Sequence, residues 1–95
     1  MPWFVKIEAG IVEKAEFDRH VPAHLEYVRT LIDKGHQAQT GYWDDDEGGM
    51  LLFRAEDWDE AEAIVLADPL VKNQCVTFTL HQWHRVFPKP ILGDS

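Results

Sequence analysis

The 95-residue sequence predicts an α+β fold, a ferredoxin-like sandwich of βαββαβ order. Three observations lead there. One long segment carries apolar residues at helical spacing, and it is flanked by stretches that alternate like strands. A charged, glycine-ended turn in mid-chain joins two strand-like runs. A shorter helical segment then precedes a final strand, so both helices can cover one face of an antiparallel sheet.

The elements follow in order. Residues 3 to 9 (WFVKIEA) read as a strand with Trp3, Val5 and Ile7 on one face, closed by Gly10. In the first helix Phe17, Val21, His24, Leu25, Val28, Leu31 and Ile32 form one stripe. Asp18 is its expected N-cap and Gly35 its C-terminal stop, while Pro22 argues against a start much earlier than Asp18. Residues 36 to 43 and 50 to 55 pair as a hairpin around DDDEGG at 44 to 49, with Ala38, Thr40 and Tyr42 facing one way. Asp57 to Ala67 forms the second helix, and Asp57 with Glu60 has capping-box spacing. Asp68 then ends it, and Pro69 suits the first position of a new short turn. The last strand is expected over residues 76 to 87, with Val76, Phe78 and Leu80 on one face. Its other face carries Thr77, Thr79, His81, Trp83 and Phe87, which is too apolar to stay wet and predicts a homodimer through the sheet. The whole of residues 1 to 95 makes one domain, with a core over about 2 to 87 and an extended tail at 88 to 95.

Composition narrows the function. Nine Lys and Arg face 17 Asp and Glu, for a net charge of -8. Without a basic stripe, neither nucleic acid nor an anionic membrane is an expected partner. The lone Cys75 allows no internal disulfide, and no window approaches a membrane span or a secretion signal, so a cytoplasmic protein is expected. Cys75 beside an apolar strand reads as a buried, inert thiol.

Two residues stand out for chemistry. His24 lies on the apolar stripe of the first helix, where a carboxylate neighbour would suit it to general acid or base work. Taken alone it reads more simply as a core-edge histidine bonded to a backbone carbonyl. Asp68 before proline is an ordinary helix cap, although one carboxylate oxygen can cap while the other orients an imidazole. His20 stands four residues before His24, a metal-ligand spacing, but HVPAH lacks the glutamate of the zinc-protease motif and contains proline. No metal or cofactor is expected. His81 and His84 fall on opposite strand faces, and the acidic turn lacks the length of a calcium loop.

Together, His24-Leu25-Glu26-Tyr27, Leu31, Gly35, Gly41, Gly49-Met50-Leu51-Leu52, Glu60-Ala61, Asp68-Pro69-Leu70-Val71 and Trp83 resemble the YciI-like (YCII-related) family over nearly the whole chain. The resemblance implies a dimeric α+β barrel with an active-site cavity in which His24 pairs with Asp68. Gly41 and Tyr42 would lie at the mouth of that pocket. It further implies a small enzyme, of lyase or isomerase type, acting on a ring-bearing or carbonyl-containing molecule. The alternative is a non-catalytic small-molecule-binding or regulatory module using the same cavity. Two departures stand out: many relatives carry Gly-Pro in place of Gly41-Tyr42, and a small residue with glycine around Asn73-Gln74-Cys75.

Overall fold

The computed structural model describes residues 1–88. Its elements are β1 (Trp3–Gly10), α1 (Lys14–Asp33), β2 (Gln39–Tyr42), β3 (Gly49–Arg54), α2 (Trp58–Leu66), α3 (Pro69–Lys72) and β4 (Val76–Trp83). The four strands form one sheet in the order β2-β3-β1-β4, and every neighbouring pair is antiparallel. This is the predicted α+β, ferredoxin-like arrangement.

The central strand β1 decides what the sheet does. Its buried positions are Phe4, Lys6 and Glu8, so the helices cover that parity. Phe4 stacks on Phe53 at 5.9 Å and meets the Trp58 ring edge at 6.0 Å, seeding a core with Leu31, Leu51 and Val65. Trp3, Val5 and Ile7 stand on the open face, opposite Trp83, Leu52 and Met50 respectively. Ile7 and Trp83 are each 43% exposed there. Arg54 lies over the Trp3 ring at 5.0 Å, a cation–π contact at the rim of this face.

Helix α1 starts four residues before Asp18, and Glu13 occupies the N-cap without a side-chain bond. Asp18 instead pairs with Lys14 within the helix. Pro22 is accommodated inside because it sits on the exposed side, where water can satisfy the carbonyl that loses its amide partner. The buried seam is narrower than expected: His24, Val28 and Leu31 are buried, whereas Leu25 and Ile32 are 52% and 53% exposed. Each of those two follows a seam residue by one position, about 100° further round the helix and past the sheet.

Gly35 ends α1 at φ 87, with His36 donating to Leu31 and Gly35 to Ile32, a Schellman arrangement. β2 is shorter than expected and begins only at Gln39, after Gln37 turns the backbone at φ 50. β4 ends at Trp83, so Phe87 does not extend that strand face and stands 89% exposed. His84 likewise lies beyond the strand. The predicted tail, apart from Pro88, lies outside the described residues. No helix among the described residues is long and apolar enough to cross a membrane.

Candidate functional site

Three elements meet at the covered face of the sheet near the β2–β3 hairpin: α1 brings His24, the α2–α3 junction brings Asp68, and β1 brings Lys6 and Glu8. Asp68 is fully buried because its carboxylate caps α3, accepting from the Leu70 amide at 3.0 Å. Pro69 at the first helical position fixes the chain direction there, which aims the remaining carboxylate valence at α1.

His24 Nδ1 lies 2.9 Å from both oxygens of Asp68. A carboxylate only accepts, so Nδ1 carries the proton and donates. Nε2, on the far side of the ring, sits 3.1 Å from the Thr40 hydroxyl of β2. When the ring is neutral, that hydroxyl donates to the Nε2 lone pair. Lys6 Nζ donates to Asp68 Oδ2 at 3.0 Å and lies 3.5 Å from Glu8 Oε2. Burial pushes the Asp68 carboxyl up, but the His24 hydrogen bond, the charges of Lys6 and His24 and the Leu70 amide together hold it below the usual carboxylate range. The Tyr27 hydroxyl, which donates to the Ile64 carbonyl at 2.7 Å, is pushed up by burial and then by the negative charge of Asp68.

His24 forms part of the wall of a cleft of about 270 Å³ that also includes Glu8, Thr40, Gly41 and Tyr42. Gly48 and Gly49 form its floor next to the sheet. A Cβ on Gly48 would stand 2.1 Å from the Glu8 carbonyl oxygen, and one on Gly49 would stand 2.0 Å from that of Gly41. Only glycine permits this approach, which leaves the floor bare of side chains. Past Phe17, Val21 and Tyr42 the cleft opens into a second hollow of about 460 Å³. Tyr42 is 88% exposed where the two join.

Of the residues singled out in the sequence, the structure brings His24 and Asp68 together and sets Gly41 and Tyr42 along the same cleft. His20 is helical, and its Nε2 lies 3.2 Å from Glu16 Oε1 rather than beside His24. Among the described residues no three His, Cys, Asp or Glu side chains converge to hold a metal ion. Cys75 is fully buried, and burial, followed by the Glu16 charge, pushes its thiol up. Sequence reasoning missed Lys6, Glu8 and Thr40. Alternation in β1 gives the period of the strand, not which parity the helices will cover, and two charged residues inside run against the usual polar-outward rule.

The model of the YCII-related domain matches residues 4–82. The chain belongs to that family. For this YCII-related protein no curated protein is matched. Among solved structures it is similar to 5-chloro-2-hydroxyhydroquinone dehydrochlorinase (TftG) from Burkholderia phenoliruptrix AC1100, in complex with 2,5-dihydroxybenzoquinone. The two are 23% identical with a TM-score of 0.63, over 88% of this chain and 95% of that one. It is also similar to the de novo designed protein Ferredog-Diesel, at 10% identity and TM-score 0.56, over 86% and 85% of the two chains. At these identities the likeness is one of fold: a four-stranded antiparallel sheet covered by helices.

Proposed function

We propose that this YCII-related protein is a small enzyme that moves protons on a cyclic or carbonyl-containing molecule, isomerising it or eliminating a leaving group without a cofactor. The observation that carries the proposal is His24 on the wall of a cleft, held from behind by Asp68 at 2.9 Å. Asp68 fixes the ring with Nδ1 protonated and stabilises the imidazolium that forms when Nε2 accepts a proton. Thr40 holds Nε2 until a substrate displaces its hydroxyl. Lys6 keeps Asp68 ionised, which the orienting role requires. Support also comes from the fold shared with TftG, a dehydrochlorinase, since elimination from a ring is chemistry of this class. The open sheet face carrying Trp3, Val5, Ile7 and Trp83 would be covered by a second copy, giving a homodimer.

A second reading, a non-catalytic small-molecule-binding module, draws on one observation: His24 is only 5% exposed and both ring nitrogens are engaged. A turnover screen of lactones, enones and chlorinated dihydroxybenzenes separates the two. The enzyme reading expects at least one compound to turn over, with a loss of about 10²-fold or more in His24→Ala. Ligands that stabilise the wild type without turning over would favour the binding module. Equal turnover by folded His24→Ala would remove the dyad from the mechanism.

A further inference from the structure

Glu8 is the buried charge that the His24–Asp68 pair leaves unused. It is 6% exposed, it borders the cleft, and its Oε2 accepts no hydrogen bond. Lys6 Nζ is 3.5 Å from that oxygen, close enough for attraction, but its hydrogen bond goes to Asp68 at 3.0 Å. One ammonium thus serves two buried carboxylates, and with a neutral imidazole the cluster carries one excess negative charge. A buried carboxylate oxygen without a donor is unfavourable, and turning the Glu8 carboxylate toward the cleft it borders would let a ligand supply what the protein does not.

The charge does not reverse toward the mouth. Asp18, Asp46 and Glu47 border the outer hollow, and Lys14, the cation beside them, is already paired with Asp18. Phe17, Val21 and Tyr42 between the two ends supply an apolar wall suited to a ring. An anion would meet negative charge along the whole path, whereas a hydroxyl or ammonium would gain at its inner end.

We propose that Glu8 sets specificity: it receives a hydrogen-bond donor of the ligand and selects small ring compounds bearing a hydroxyl or amino group over carboxylates. This rests on the cleft being the ligand site, as in the function proposed above.

The test is an NMR titration of the full chain with four matched probes: benzylamine, benzyl alcohol, benzyl methyl ether and benzoate. The wild type is expected to bind the amine and the alcohol at least tenfold more tightly than the ether, with benzoate weakest. Comparing the first two tells an ammonium from a hydroxyl as the preferred donor. Glu8→Met should lose the tenfold preference. Glu8→Gln keeps an acceptor of similar shape, so it should retain the preference of alcohol over ether while losing most of that of amine over benzoate, even where Glu8→Met fails to fold. An unchanged ranking in a folded Glu8 variant, or benzoate as the best binder, would overturn the proposal. The ranking is read from binding alone and needs no turnover, so a failed acid/base role leaves Glu8's role standing. Absence of binding by all four probes would overturn both.

Discussion

Lys6→Met replaces the buried ammonium with an apolar chain of similar length, and its consequence can be worked from the geometry. Lys6 Nζ lies 3.0 Å from Asp68 and 3.5 Å from Glu8, with side-chain exposures of 0% for Lys6, 0% for Asp68 and 5% for Glu8. Removing one partner of a buried ion pair costs about 3–5 kcal/mol, because the remaining charge stays desolvated. Small domains lose roughly 4–8 °C of Tm per kcal/mol, so even the lower figure predicts a fall of about 12 °C or more. Urea unfolding followed by tryptophan fluorescence gives the free energy directly. The penalty should shrink below about pH 4, where carboxylates take up protons and no longer need a counter-charge. It should also shrink in an Asp68→Asn background, since the two side chains are directly coupled. A loss of less than about 1 kcal/mol for Lys6→Met would refute the reasoning, because it would place the ammonium or its partners in effective contact with water.

Three further outcomes are expected. The Asp68 carboxyl is held below its ordinary range, so its contribution to stability is complete above about pH 4 and is lost as pH falls through the lowered value. Thermal melts should therefore show the wild type's lead over Asp68→Asn undiminished from pH 7 to 5 and shrinking only below about 4; a lead that shrinks between pH 7 and 5 contradicts this. Gln74 occupies the left-handed region at φ 57 in the turn after α3, where Cys75 donates to Leu70 and Gln74 to Val71. Gln74→Gly should stabilise by about 0.5–1 kcal/mol, the relief of left-handed strain less the added chain entropy of glycine, and a destabilised variant would oppose that account. Trp83→Glu on the open sheet face should convert a dimer to a monomer in sedimentation velocity, and a wild-type monomer or a dimeric variant would contradict the proposed interface.

Much of the fold was legible because its signals are local. The seam of α1, the Gly35 stop, the Asp57 cap accepting from Glu60 and the Asp68-Pro69 junction each reflect chemistry within a few residues. The capping box differs in one detail: Glu60 Oε1 accepts from the amide of Glu56, one residue before the cap. The helix start was misplaced because Pro22 is tolerated on an exposed side, and exposure depends on the assembled fold. At the site, His24 and Asp68 stand 44 residues apart, and the family resemblance singled the pair out where spacing could not. Lys6, Glu8 and Thr40 left no such trace. Their placement depends on strand register and on which parity of β1 the helices cover, both set by tertiary packing.

The proposed acid/base chemistry requires that Asp68 hold His24 with its proton on Nδ1, leaving Nε2 as the base that faces Thr40 and the cleft. Two-dimensional ¹H–¹⁵N correlation of the imidazole, recorded well above the ordinary imidazole range of about 6.5, reads the tautomer of the neutral ring directly. The predicted result is the Nδ1–H form in the wild type, shifting toward the Nε2–H form usual for free histidine in Asp68→Ala. An Nε2–H ring in the wild type, or a tautomer unaffected by Asp68→Ala, would contradict it.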